Sequence, residues 1–266
     1  MLPFCIINAI LGAAIGILKD EYDVDASIQI QGHITLSRMI AFLVVTRVRK
    51  AYDNFWEART RLSLMLSEAR SIAVEARSFT CDDINVKAQL WRSMLCEQLE
   101  KLVTVSIDTL MQPDKTAALI LNTPASTNVR PDENPMERIK YLMTAITLHK
   151  EYLNNPLIIH KEVRLQERAA EYVNKYRELA IIASTPYPFP VAQLARIFIL
   201  IWLFSLPFAL ADKFDFALSA FLAFFITYGF FGLEFVSIEL DDPFGTDRND
   251  IEMVELTKVR ILFSVD

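Results

Sequence analysis

The strongest constraint on this chain is a pair of long apolar runs that follow each other almost without interruption. Residues 191–211 contain Arg196 as their only charge, and residues 214–238 carry charges only near their two edges. A helix of about 20 apolar residues is long enough to cross the hydrocarbon core of a bilayer. The alternative, two buried core helices of a soluble protein, would need both runs back to back in one core. The pair therefore predicts a membrane hairpin.

Two segments in the N-terminal part are candidates for further spans. Residues 1–18 are uncharged, and a signal peptide is disfavoured because no basic n-region or clear cleavage site is present. The sequence leaves open whether its N-terminus is truncated. The second segment, residues 32–47, is shorter and carries Arg38. A charge at membrane depth is costly unless it faces protein or water, so we expect Arg38 to point away from lipid. The alternative to a role in a pore is that Arg38 pairs with an acid on a neighbouring helix, such as Glu234.

Flanking charges predict how the spans cross the membrane. Basic residues follow the second span, whereas the loop after the first span is acidic. Because basic loops stay on the cytoplasmic side, four spans place both termini and the large middle segment inside. We therefore predict an all-α membrane protein with two membrane helices in residues 1–46, a helical cytosolic domain in 47–184, a proline entry and membrane hairpin in 185–238, and an acidic loop with the C-terminal segment in 239–266.

The middle segment contains a regular apolar repeat, which we call the seam. Its members alternate spacings of four and three residues and are Ala51, Phe55, Ala58, Leu62, Met65, Ala69, Ile72, Ala76 and Phe79. A 3.5-residue period is typical of packed helices, and its backward extension to Ile34 predicts one helix from the membrane to Phe79. We expect the seam to seal neighbouring subunits. The alternative is a plain amphipathic helix within one chain.

Three more helices are predicted downstream, over residues 84–111, 136–153 and 158–183. Four prolines punctuate residues 113–135, which we interpret as a loop because proline breaks regular structure. No segment favours a β-sheet.

Composition and motifs exclude several functions. The net charge of −6 and the pI near 5.2 argue against a nucleic-acid-binding protein, which is usually basic. The three cysteines and three histidines lack the spacing of metal ligands, and no phosphate-binding loop, nucleophile elbow or zinc-protease motif occurs. No paired carboxylates or nucleophile–base set lies within the spans, so we predict that the protein is not an enzyme.

One face of the second span is polar. Gln31, Thr35 and Met39 are spaced four apart, and Arg38 lies beside them. This face lies opposite the stripe that continues the seam, and its side chains are poor ligands for lipid. Several copies of the helix around one axis would turn the face into a water-filled pore.

Three motifs then occur in a fixed order: VVTRVRKAYDNFWEAR at residues 44–59, STPYPFP at 184–190 and DDPFGTDRND at 241–250. Together they resemble the bestrophin family of anion channels, in particular its bacterial and plant-type branch, which includes thylakoid chloride channels. The resemblance implies a homopentameric chloride channel with four membrane helices per subunit and one axial pore. It places the pore neck at Gln31, Thr35 and Met39, beside Arg38, and the cytosolic aperture at Thr185. These neck positions are commonly bulky and apolar in the family, so this neck should dewet less readily.

The acidic loop raises the question of calcium as a cofactor. In animal bestrophins the loop after an NPFG motif binds calcium through carboxylate and carbonyl oxygens, as a hard cation requires. The resemblance places the corresponding carboxylates at Asp242, Asp247 and Asp250, although non-acidic residues interrupt the run here. The alternative is that Asp247 or Asp250 caps a following helix.

These features favour passive conduction of anions (chloride, with bicarbonate and nitrate also open) through one axial pore. The alternative function is a helical membrane scaffold that anchors partners without conduction, although a scaffold does not need an arginine at membrane depth. The expected partners are small anions, membrane lipid and further copies of the chain. We expect a multi-pass protein of either the plasma membrane or the thylakoid membrane.

Overall fold

The computed structural model describes residues 2–22, 28, 30–120, 134–185, 188–211, 213–245 and 250–251. Within these ranges the regular structure is helical and contains no strand, which confirms the all-α prediction. The helices are α1 (Leu2–Tyr22), α2 (Ile30–Phe79), α3 (Val86–Leu110), α4 (Pro113–Ile120), α5 (Pro135–Thr147), α6 (His149–Tyr152), α7 (Ile159–Ser184), α8 (Phe189–Leu210) and α9 (Phe216–Asp241).

The chain divides into two compact units. The first unit consists of Met1–Asn54 and Tyr187–Asp241, and it contains α1, α8, α9 and the N-terminal half of α2. The second unit consists of Phe55–Pro186 and Asp242–Asp266, and it contains α3 to α7 with the rest of α2. Each unit has an apolar core of its own.

Three helices are long and apolar enough to cross a membrane: α1 over Leu2–Lys19, α8 and α9. They correspond to the predicted first span and to the predicted hairpin. The N-terminal part of α2, predicted as another span, does not meet this standard in the part of the chain that is described. Polar side chains such as His33 and Arg38 interrupt its apolar positions. Length and composition therefore support three crossings rather than the four predicted.

Close packing joins the apolar helices of the first unit. A Cβ atom at Gly16 of α1 would lie 2.5 Å from the Cβ of Phe216, so only glycine allows α1 to approach the start of α9 this closely. Asn8 then ties α1 to both other helices. Its Nδ2 donates hydrogen bonds to the carbonyl of Leu203 and to Oγ1 of Thr227, each over 2.8 Å.

The core of the second unit is built around the seam. The seam residues from Ala58 to Ala76 are buried in one apolar cluster with side chains of α3 and α7, among them Trp91 and Tyr172. Their apolar surface is thus covered within a single chain. The prediction that this stretch seals neighbouring subunits is wrong, and the plain amphipathic helix is the better interpretation. A 3.5-residue period shows that one helix face is buried, whichever chain supplies the cover.

Helix ends agree closely with the sequence pattern, with two exceptions. The single helix predicted over residues 136–153 is divided at Leu148 into α5 and α6. α2 ends at Phe79 as predicted, and α3 and α7 begin and end within two residues of their predicted bounds. Part of the predicted loop over 113–135 is instead helix α4, Pro113–Ile120. Proline is favoured at the first helical position because its missing N–H would be unpaired there anyway. Residues 121–133 lie outside the described part of the chain.

A buried histidine organises the chain after α6. Nδ1 of His149 accepts a hydrogen bond from the amide of Leu157 over 3.1 Å, so the other ring nitrogen carries the proton. That nitrogen, Nε2, lies 3.1 Å from Oε2 of Glu162. The hydrogen bond from His149 is the main cause that lowers the pKa of Glu162; burial opposes it, and Lys150 adds to it.

The three cysteines lie in different surroundings, and all are free thiols. Cys5 is buried in α1, and Cys96 is partly buried in α3. Burial raises the pKa of the Cys96 thiol. Cys81 is exposed in the turn after α2, where its Sγ lies 3.7 Å from Oδ1 of Asp82.

Candidate functional site

The rotation of α2 in the first unit is set by its apolar face. Ile40 and Val44 are buried in a cluster with side chains of α8 and α9. Two turns before Ile40, His33 stacks on Trp202 with ring centroids 5.0 Å apart. Nε2 of His33 also lies 3.1 Å from the Trp202 carbonyl and from Oγ of Ser205. These contacts fix the rotation of α2 about its axis. They therefore determine which face of α2 is left uncovered by the rest of the first unit.

The side that turns away carries the four residues predicted for the pore neck. Gln31, Thr35, Arg38 and Met39 are all exposed within the chain. The Thr35 hydroxyl donates to the Gln31 carbonyl over 3.1 Å. The structure thus brings these side chains to one uncovered helix face.

The same face continues with apolar residues that were not predicted to belong to it. Phe42 is 69% exposed and Val45 is 59% exposed. They continue the spacing of three and four residues from Arg38, and this spacing was the signal that could have found them. Thr46 follows, with its hydroxyl bound to the carbonyls of Phe42 and Leu43 over 2.9 Å. The uncovered face is therefore polar near its start and apolar one turn later.

Arg38 has no ion pair within the described residues. Glu234, the acid considered as its partner, binds Arg47 and Arg196 instead. Arg196 donates from Nε to Oε1 of Glu234 over 2.8 Å, and Arg47 donates to the same oxygen. The pairing of Arg38 with Glu234 is therefore wrong.

Glu234 and its two arginines form a charge cluster in the first unit, in which Arg47 and Glu234 are buried and Arg196 is partly exposed. The side chains of Arg47 and Glu234 are 3% and 7% exposed, and Asp241 lies 3.9 Å from Arg47. Two guanidinium groups and two carboxylates balance each other, which lets these charges remain in a region of low dielectric constant. This cluster was not predicted from the sequence. Its signal was Arg47, which continues the buried positions Ile40 and Val44 at helical spacing.

Thr185, the residue predicted for the aperture, directly follows α7 and is exposed. It belongs to the second unit, whereas the neck residues belong to the first. The two following positions, 186 and 187, lie outside the described residues.

The acidic loop folds back on itself. The amide of Ile251 donates to the Pro243 carbonyl over 3.2 Å. A Cβ atom at Gly245 would lie 2.7 Å from Oδ2 of Asp250 and 3.4 Å from Oδ2 of Asp242. Two of the three carboxylates predicted for calcium therefore converge beside Gly245.

The structure does not describe the third predicted carboxylate or the helix start that was the alternative role of the loop. Asp247 lies outside the described residues, and so does the segment that Asp250 would cap. The described part of the chain contains no group of three or more acidic, histidine or cysteine side chains arranged to hold a metal ion.

These features define an integral membrane protein whose helix α2 exposes a polar face with a basic residue. Residues 1–261 match the family model described as bacterial/fungal bestrophin protein, and the chain belongs to this family. The family predicted from the three motifs is thereby confirmed.

Similar proteins agree with this assignment. The chain is 29% identical to a voltage-dependent anion channel-forming protein of Mesorhizobium japonicum over 85% of its length and 70% of the relative's length. It is 25% identical to a protein of the same description from Synechocystis, over 90% and 78% of the two chains. A solved point variant of a bacterial bestrophin homolog from Klebsiella pneumoniae matches with a TM-score of 0.80 at 18% identity, over 99% of both chains. At that identity, the likeness to the solved structure supports the fold alone.

Proposed function

We propose that the protein is an anion channel. The observation that carries this proposal is the uncovered face of α2, where Gln31, Thr35 and Arg38 lie on a helix that packs among membrane-spanning helices. Exposure of such a face to hydrocarbon is costly. Water in a pore satisfies it, and the relatives described as voltage-dependent anion channel-forming proteins agree with that interpretation.

The pore requires several copies of the chain, and we propose five around one axis. In this arrangement the N-terminal part of α2 is the fourth membrane helix, and its neighbours in the ring replace lipid on the polar face. The neck is lined by Gln31, Thr35 and Met39, and Thr185 forms the narrow aperture on the cytosolic side. A closed ring is the usual result of head-to-tail contacts between identical subunits.

Conduction in this proposal is passive. Arg38 contributes one positive charge per subunit beside the neck, and a low-dielectric passage focuses that potential on permeant anions. Phe42 and Val45 follow as an apolar ring, where water is held weakly and the pore can close by dewetting. No covalent bond forms or breaks during this conduction, so the proposed activity is transport rather than catalysis.

Reconstitution tests the proposal directly. Purified protein in liposomes should carry chloride down its gradient, and the flux should respond to membrane voltage. A protein that assembles and inserts but passes no anion would support the alternative of a membrane scaffold.

Calcium is a separate question about the acidic loop. We expect Asp242, Asp247 and Asp250 to act in the folding of the loop rather than as a calcium site, because non-acidic residues interrupt the run. Current and thermal stability should then be the same with calcium and with a chelator. If either depends on calcium in the wild type and the double change Asp247→Ala and Asp250→Ala abolishes that dependence, the loop is a calcium clasp.

A further inference from the structure

Most charges of α2 are segregated by face in the second unit, with Arg61 on the acidic side as the exception. At 100° per residue, Arg59 and Arg70 lie within roughly 20° of each other, whereas the acids Glu57, Glu68 and Glu75 cluster on the opposite side. The buried seam separates the two groups. This part of the helix therefore has one basic edge and one acidic edge.

The acidic edge is neutralised within the chain. Arg164 of α7 binds Glu75 through two hydrogen bonds of 2.9 Å, and Arg168 lies 3.1 Å from Glu68. Glu57 pairs with Arg61 over 3.2 Å along the helix. Each of the three acids thus has a basic partner.

Two arginines of the basic edge have no such neutralisation, whereas Arg77, five turns after Arg59 on the same edge, makes an interaction. Arg59 and Arg70 are exposed, and neither forms an ion pair within the described ranges. The guanidinium of Arg59 lies over the ring of Trp56, 5.4 Å from its centroid, an arrangement that orients the group without consuming its charge.

Two serines add hydroxyl groups, which can donate hydrogen bonds, to the basic edge. Ser63 and Ser67 are exposed and follow Arg59 at one-turn intervals. Most helical hydroxyls of the second unit donate to a carbonyl one turn back, as Thr60 does to Trp56 over 2.8 Å. Neither serine makes a hydrogen bond among the described residues, so both hydroxyls remain available as donors.

We propose that Arg59, Ser63, Ser67 and Arg70 form a face that binds small inorganic anions, such as chloride, and concentrates them for the pore. This inference rests on the proposed function of anion conduction. The backbone positions of Arg59 and Arg70 are about 16.5 Å apart along the helix axis, a spacing that favours separate ions over one shared ion. The face therefore offers a row of weak sites rather than one tight site, and weak multiple sites suit a path that ions must also leave.

Two readouts test this face with matched variants. The test variant is Arg59→Gln with Arg70→Gln, and the control is Lys87→Gln with Lys101→Gln, which removes the same charge from exposed positions on α3. In ³⁵Cl magnetic resonance, exchange with the solubilised wild-type protein should broaden the chloride line. The test variant should lose at least about half of that broadening, and the control should retain it.

In reconstituted channels, the test variant should lower single-channel conductance about two- to threefold in dilute chloride. The difference should vanish near 1 M salt, where the screening length falls to about 3 Å. Unchanged broadening in the test variant, or an equal loss in the control, would overturn the proposal. Loss of assembly in the test variant would also overturn it and would identify the face as an interface between copies. Absence of current in the wild type would refute conduction, while the chloride line still reports on the face itself.

Discussion

Arg38 and Arg47 lie on the same helix, but the structure gives them opposite surroundings. Arg47 continues the buried positions of α2 and is neutralised by Glu234, whereas Arg38 lies on the uncovered face. The sequence shows both arginines near the same apolar segment. It does not show which of them meets Glu234 of α9, because that depends on the rotation of α2 against two other helices. Helical spacing from Ile40 is the feature that separates them.

The first prediction at this scale concerns anion selectivity. Arg38→Gln should lower the preference for chloride over sodium at least about threefold, because the ring loses its positive potential. Arg38→Lys keeps the charge and serves as the control. Reversal potentials across a chloride gradient measure the effect. Unchanged selectivity would remove Arg38 from the pore, and loss of assembly would assign it a structural role.

The second prediction concerns pH and Glu162. Its pKa is lowered in the folded protein by the hydrogen bond from His149, so its contribution to stability is present above the usual carboxyl pKa. That contribution is lost as the pH falls through the lowered value. Glu162→Gln should therefore lower Tm at pH 7 by about 2–4 °C and flatten the fall in Tm below about pH 5, where the wild-type carboxylate becomes protonated.

Glu167→Gln is the matched control for this prediction, because Glu167 lies on the same helix but is exposed. Its Tm should follow the wild type at every pH. A Glu162→Gln variant with the wild-type pH profile would show that the hydrogen bond does not contribute to stability.

At the scale of elements, the sequence predicts helices well because apolar periodicity and proline positions are local features. It predicts the end of α2 at Phe79 and the bounds of α7 within one residue. It does not predict α4, because Pro113 was interpreted as part of a loop, although proline can also begin a helix. It also misassigns the seam, because periodicity shows that a face is buried but not which chain buries it.

The prediction for elements concerns the contact between α1 and α9. Gly16→Ala places a methyl group 2.5 Å from the Cβ of Phe216, so the helices must separate, at a cost of about 1–3 kcal/mol. Gly229→Ala is the control, since a Cβ there meets no atom within 4 Å. The control should be neutral or slightly stabilising because alanine favours helix. Thermal unfolding in detergent distinguishes them, and equal Tm values would contradict the close packing.

At the scale of the whole molecule, the number of subunits is the main prediction. We expect mass measurement in mild detergent to give five chains, because the polar face of α2 needs neighbouring copies to enclose water. The seam is buried within each chain, so the contacts between copies must come from other surfaces. A stable monomer would contradict both the pentamer and the channel.

The different surroundings of the three thiols allow a fluorescent dye to be attached at a single position of each chain. Cys5 is buried and the Cys96 thiol is less acidic than usual, whereas Cys81 is exposed in a turn. Reaction with maleimide requires an accessible thiolate, so the native sequence should accept one dye per chain at Cys81 without any engineered cysteine. Stepwise photobleaching of single labelled assemblies would then count the subunits in a lipid bilayer, free of detergent.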